Sequence, residues 1–440
     1  MTSIATLPSQ MEKETMRKVT FRIIPFLMLC YFIAFVDRVN AGFAALQMNQ
    51  DIGLSSAAFG LGGGLFYITY VLCEVPSNLA MEKVGARLWI ARIMITWGIV
   101  AASMALVVGP NSFYLVRMLL GAAEAGFFPG VILYLTYWFP AEYRGRIVAI
   151  FMVAIPISSF LGSPISASLL QLEGYLGYHG WQWMFVLEAV PAIFLGIASF
   201  FVLPNGPAHA RWLTDAQRDW LASRLAKDTS APKKAAGHLS LGQVISNKYV
   251  LAASLIYAGA SGSSQVLSLW QPQIIKSFGL SNMETGLVNS IPFGIASVLM
   301  VLWGRNSDRT RERTWHTAIP LMLLAVSLSV APFTSALLPV VLLLCVSVTA
   351  TYIVKGPFWA LATEWMSAGV AAAAIAQVNA IGNIGGFLGS YLLGVIKDAT
   401  GSYSLGLLPL AVLSGAGCIM VLVLSRNPQQ SVAAVQEPVH

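Results

Sequence analysis

Acids and bases stand together in this sequence at places where neither is cheap. Asp37 and Arg38 lie in the run Tyr31-Phe32-Ile33-Ala34-Phe35-Val36-Asp37-Arg38-Val39-Asn40, and Arg117 and Glu124 lie seven residues apart in a second apolar run. Adjacent helical residues point about 100° apart, so Asp37 and Arg38 do not simply neutralise each other. Each needs water or a partner on another helix. The seven-residue spacing puts Arg117 and Glu124 on one helix face, two turns apart. Carboxyls so placed can take up and release protons. Arginines so placed can hold an anion, because the guanidinium fork matches a carboxylate. The competing reading is a pair of structural salt bridges between two helices, but a purely structural contact is more cheaply made from apolar residues. Lys355 sits in Val354-Lys355-Gly356-Pro357-Phe358-Trp359. Gly-Pro there interrupts a helix and frees backbone groups that must face protein or water. The bland alternative is a lysine snorkelling to the nearer membrane face.

Weaker signals surround these. Asn379 and Asn383 are one turn apart among Gly382, Gly385, Gly386 and Gly389. The glycines suit close helix packing, and Asn379 suits a hydrogen bond to a bound molecule. Gln265, Trp270, Gln271, Tyr67, Tyr70 and Trp359 are candidate cavity liners. Glu74 and Glu188 lie nearer the ends of apolar runs and are read as structural or gating partners. Arg87, Asp308 and Arg309, in charged turns, are further gating candidates.

The elements that must position these residues follow from composition. Of 440 residues 57% are hydrophobic and 10% charged, and the mean hydropathy is +0.71. A soluble chain carries about a quarter charged residues, so neither a soluble body nor a disordered chain fits. Spans of about 20 apolar residues are predicted near 20–46, 57–81, 87–108, 112–136, 144–170, 181–203, 249–275, 283–304, 315–333, 336–362, 370–396 and 403–425. The net charge of +7 is spread between spans rather than gathered on one face, which reads as topology and not as nucleic-acid binding. With the N-terminus inside, most Lys and Arg fall on the cytoplasmic side and only Lys276 and Lys397 fall outside. The polar segment 204–248, with Pro204, Pro207, Pro232 and Lys233-Lys234, separates a six-helix half at 1–203 from a second at 249–440. Within it, Trp212 to Leu225 suits a short amphipathic helix on the membrane surface. The charged turn Glu82, Lys83, Gly85, Arg87 has a counterpart in Gly304, Arg305, Asp308, Arg309, Arg313, which suggests an internal repeat.

Other chemistry is set aside. The four cysteines, Cys30, Cys73, Cys345 and Cys418, are far apart and read as buried hydrophobes. His179, His209, His238, His316 and His440 fall in loops or the tail, so no metal cluster is expected. No P-loop, H-E-x-x-H, G-x-S-x-G or dinucleotide fingerprint stands in a suitable context. No enzyme activity, cofactor or removable signal peptide is expected.

Several motifs together resemble the anion:cation symporter family of the major facilitator superfamily, with overall likeness to its tartrate transporter-like branch. They are Asp37-Arg38-Val39-Asn40, the run Arg117-Met-Leu-Leu-Gly-Ala-Ala-Glu124-Ala-Gly-Phe-Phe-Pro129-Gly130, Trp138-Phe139-Pro140 with Arg144, Trp303-Gly-Arg-Asn-Ser-Asp308-Arg309, and Lys355-Gly-Pro-Phe-Trp359. In the turn after span 2, Asn78 and Glu82 stand where the superfamily has glycine and aspartate. The resemblance implies an all-α polytopic membrane protein with the major facilitator fold, spans 1, 4, 7 and 10 lining a central cavity. It implies proton-driven uptake of a small organic anion such as tartrate, a sugar acid or an aromatic acid. Asp37 and Glu124 match the family's proton-carrying acids, and Arg38 and Arg117 its cavity arginines. Tyr70 and Asn379 match substrate-contacting positions. The expected setting is the inner (plasma) membrane, with both termini cytoplasmic and the chain acting as a monomer. The alternative is a proton-driven exporter of drugs or metabolites, against which the three cavity cations argue.

Overall fold

The computed structural model describes residues 10–230, 247–365 and 371–425. Pro232, Lys233-Lys234, His238, Arg426 and His440 lie outside the described residues. The helices are α1 (Gln10–Asp51), α2 (Ser56–Val84), α3 (Ala86–Ser103), α4 (Pro110–Glu124), α5 (Phe127–Thr136), α6 (Ala141–Leu169), α7 (Gly180–Val202) and α8 (Asp215–Ser230). There follow α9 (Lys248–Lys276), α10 (Asn282–Thr310), α11 (Thr314–Val330), α12 (Leu337–Ile353), α13 (Lys355–Trp365), α14 (Ala371–Thr400) and α15 (Leu408–Leu424). Among the described residues twelve stretches are long and apolar enough to cross a bilayer, and α4 with α5, like α12 with α13, makes one of them in two pieces. In lipid every backbone group must find its partner inside the segment, which is why apolar runs of this length fold as helices.

Four details differ from the sequence reading. The first helix begins at Gln10 rather than near 20, because its polar start docks on protein: Lys18 Nζ donates to Gln217 Oε1 of α8 at 3.2 Å. The middle-segment helix runs Asp215–Ser230 instead of Trp212–Leu225. Its face with Gln217 and Leu221 is buried against the bundle, and Trp212, in the turn before it, stacks on Trp138 at 5.6 Å. It therefore packs on protein. The third difference is that span 4 is broken. Ala125 is extended, Gly126 takes φ +85°, and a new helix starts at Phe127. A glycine is required there because the left-handed region strains other residues. A Cβ at Gly126 would also strike the Ser77 side chain. Ser77 Oγ donates to the Ala125 carbonyl at 2.7 Å and so satisfies a group the break leaves free.

In span 10 the interruption falls at Val354, not at Gly356-Pro357 itself. Pro357 has no N–H to give to Ile353 one turn earlier, so the discontinuity appears upstream of the proline.

The two sets of six spans interlock at the end of the bundle away from the chain termini. There Gly60 of α2 presses on the Ser390 carbonyl of α14, where any side chain would collide. Asn289 Nδ2 donates to Ser163 Oγ at 2.8 Å, joining α10 to α6. Asp398, near the end of α14, accepts from the first backbone amides of α2, Ser56 N at 3.0 Å and Ala57 N at 2.7 Å. A carboxylate at a helix N-terminus satisfies free donors and complements the dipole. Asp398→Ala is expected to loosen this clasp. Losing about 1.4 kcal/mol would shift the closed-to-open balance about tenfold. In a cysteine-free background, maleimide labelling of Tyr403→Cys should then accelerate by about that factor. Unchanged labelling would show that the clasp does not hold the end shut.

Candidate functional site

The break in span 4 positions the first acid. Glu124 is the last residue of α4, so it stands at the negative end of that helix dipole. An ionised carboxylate there needs a cation, and Arg38 of α1 supplies it. Arg38 Nε donates to Glu124 Oε1 at 2.6 Å, and its Nη2 contacts the same oxygen. The Glu124 side chain is 2% exposed and that of Arg38 28%, so solvent reaches the cation rather than the acid. The Arg38 guanidinium also lies over the rings of Phe35, Phe66 and Tyr70 at 4.8, 5.7 and 5.4 Å. Such aromatic faces hold a cation without neutralising it.

Arg117 reaches the same cavity from two turns earlier on the face of α4 that carries Glu124. Its Nε and Nη2 donate to the carbonyls of Gly62 and Gly63 in α2, each at 3.4 Å, and its guanidinium lies 5.0 Å from the Phe66 ring centre. Among the described residues it has no carboxylate within 4 Å. The Gly62-Gly63-Gly64 run that receives it was not singled out from sequence; three consecutive glycines in an apolar span were the available signal. Asp37, Arg38, Phe66, Tyr67, Trp97, Arg117, Leu120 and Glu124 together surround a space for about one water molecule. The site is collapsed around its own ion pair.

Lys355 opens α13 from the second half of the chain. Its Nζ donates to Ser264 Oγ of α9 at 3.4 Å and lies 4.7 Å from the Tyr352 ring centre. Among the described residues no carboxylate lies within 4 Å of it, and Arg38 is the charged group within its electrostatic reach. Thus each half has a helix interrupted at an ionisable residue, Glu124 in one and Lys355 in the other. The acid is paired and the lysine is not.

The remaining candidates divide by place. Tyr70 and Tyr67 stand beside Arg38 and Phe66. Glu74, one turn from Tyr70, is half-buried and within electrostatic reach of Arg38. Gln265 Nε2 donates to Asn383 Oδ1 at 2.9 Å, and its own Oε1 is buried without a partner. Asn379 is half-buried one turn from Asn383. Trp359 packs on Tyr257 at 5.0 Å. Trp270 stands elsewhere: it packs between Phe59 and Tyr403 at the interlocked end, away from the Arg38–Glu124 pair. Gln271 is buried beside it and donates to the Asn289 carbonyl at 3.4 Å. Arg87 donates to the Phe200 carbonyl and ties α3 to α7. Asp308 pairs with Arg313 at 2.8 Å within its own turn, and Arg309 is exposed. Among the described residues no group of three His, Cys, Asp or Glu side chains could hold a metal ion.

Comparison with known proteins places this arrangement. The Major Facilitator Superfamily family model matches residues 27–390. A protein of Agrobacterium vitis, provisionally named a tartrate transporter, is 48% identical over 431 residues, covering 97% of this chain and 99% of its own. A protein of Acinetobacter baumannii named a quinolone resistance transporter is 39% identical over 436 residues, covering 97% and 99%. Among solved structures, an inward-open xylose transporter of Escherichia coli superimposes with a TM-score of 0.73 at 14% identity, over 91% of this chain and 95% of that one.

Proposed function

The chain belongs to the major facilitator superfamily, a multi-pass membrane transporter and not an enzyme, and from that premise we propose that it imports a small carboxylate together with protons. The unpaired Lys355 carries the reading. A lysine held inside a membrane span with no anionic partner leaves a place for an anion that the protein does not fill itself. Arg38 and Arg117 face the same region from the other half. Glu124 occupies Arg38 when ionised; when Glu124 takes a proton, the guanidinium is released to a substrate carboxylate. The proton and the anion thus bind in support of each other without touching. The basic bias of the loops on the terminus side supports cytoplasmic termini and an inner-membrane setting. A single chain carries both halves of the cavity, which supports a monomer.

The test is uptake into proteoliposomes of radiolabelled tartrate, malate, gluconate and 4-hydroxyphenylacetate under an imposed inward proton gradient. Gradient-driven accumulation of at least one acid supports the reading; no accumulation of any acid at any pH overturns it. A second reading, proton-driven drug export, has the name of the Acinetobacter baumannii relative in its favour. Efflux of a quinolone from inverted vesicles, without carboxylate uptake, would select it.

Lys355 has a narrower prediction. If it meets a second carboxylate, Lys355→Ala should weaken dicarboxylate binding about tenfold or more and monocarboxylate binding far less. Equal loss for both classes would show that Lys355 serves the cavity field rather than a second carboxylate. Competition against a labelled dicarboxylate measures both.

A further inference from the structure

Asp37 does not face the arginines of the cavity in the way its neighbour does. It lines the cavity beside Trp97, and its carboxyl lies within electrostatic reach of Glu188 on α7. Asn40 Nδ2 donates to Asp37 Oδ1 at 3.3 Å, the Trp97 indole N–H of α3 also faces the carboxyl, and Oδ2 is buried. The acids that face Asp37 are Glu188 of α7 and Glu124 of α4. Glu188 is itself buried, 5% exposed. Its Oε1 accepts from Ser166 Oγ of α6 at 2.7 Å, and the Asn40 side-chain amide of α1 also faces this buried carboxyl. The helices packed against this part of α7 are α1, α3 and α6. They bring Asp37 and Asn40 from α1, Trp97, whose indole faces Asp37, from α3, and Ser166 from α6. Among the described residues no Lys, Arg or His lies within 4 Å of either carboxyl.

Two neighbouring carboxyls buried without a cation cannot both be ionised at acceptable cost. The contrast with Glu124 is direct, since that acid has Arg38. A proton on either carboxyl neutralises one charge and turns one lone oxygen into a donor. We propose that Glu188 is a further proton-binding residue of this transporter, sharing a proton with Asp37 at a station separate from the Arg38–Glu124 pair. The proton arrives from water on the cavity side by way of Asp37 and leaves to water by the same carboxyl after the site reopens; no other reactant is needed. The plain alternative is that Glu188 is a neutral strut holding α7 to α6, a role glutamine would fill equally well.

This proposal rests on the proton-symport reading, and the experiment separates the two. Wild type, Glu188→Gln, Glu188→Asp and Ser166→Ala are compared in proteoliposomes, using whichever acid of the four-member panel the wild type accumulates. Counterflow, which requires no net proton movement, is measured beside proton-driven accumulation and its pH profile. Glu188→Gln should keep counterflow within about threefold while losing about tenfold or more of the accumulation and flattening the pH profile. Glu188→Asp should restore pH dependence. Ser166→Ala removes a donor to the ionised acid, so half-maximal uptake should move to higher pH. A wild-type pH profile in Glu188→Gln, the mark of a neutral strut, overturns the proposal, as does equal loss of counterflow and accumulation in both Glu188 variants, which would show a contact the whole cycle needs. A wild type that accumulates nothing, or moves its anion with no proton flux, defeats the symport reading itself and takes this inference with it.

Discussion

Arg38→Ala is expected to reduce affinity for a transported carboxylate about 100-fold or more, the largest single effect in the molecule. Truncating one partner of a buried charge pair costs about 3–5 kcal/mol, and here the loss is double. The guanidinium that would clasp the substrate goes, and Glu124 is left buried at the negative end of α4 with its cation removed. Arg38→Lys should recover only part of the loss, because a point charge cannot make the paired donor contacts of the fork. The two contributions separate in a cycle with Glu124→Gln. If the uncompensated acid is the larger harm, Arg38→Ala/Glu124→Gln will fold better than Arg38→Ala alone yet bind no better. Thermal unfolding in detergent and equilibrium binding of the labelled acid report the two quantities independently. Unchanged binding in Arg38→Ala would remove Arg38 from the substrate site.

Glu124→Gln is expected to abolish uphill accumulation while leaving exchange of the anion across the membrane. Glutamine keeps the size and the oxygen that faces Arg38, but it cannot ionise, so it never reclaims the guanidinium. Arg38 is then free in every state of the cycle. Binding should tighten slightly and lose its pH dependence, and the accumulation ratio should fall to about one. Coupling by this route is reciprocal, so the wild type should bind protons more tightly when the anion is present. A Glu124→Gln variant that still concentrates its substrate would place the coupling elsewhere, with Asp37 and Glu188 the next candidates.

The two predictions use different amounts of sequence information. That Arg38 and Glu124 matter follows from their cost in an apolar span, whatever they touch. That they touch each other does not. Arg117 shares Glu124's face, but two helical turns separate them, and it turns to the Gly62 and Gly63 carbonyls. The reason lies in the break after Glu124. With Ala125 extended and Gly126 left-handed, the end of α4 is presented to α1, and this depends on Ser77 from α2 receiving the freed carbonyl. Trp270 shows the same limit in reverse. An aromatic residue in span 7 suits a cavity by type, but Phe59 and Tyr403 hold it at the interlocked end.

Apolar runs and the charges embedded in them were enough to show the class of the protein, its twelve spans and the ionisable residues inside them. Those properties are local: an apolar run of sufficient length must be a helix in lipid, and a charge within it must have a purpose. Which partner each took came from the packing of the helices, with Glu124 given to Arg38, Asp37 to Asn40, and Lys355, among the described residues, left without an acid. A partnership is set by the rotation and depth of two helices far apart in the chain. Helix periodicity says which residues share a face but not which neighbour that face will meet.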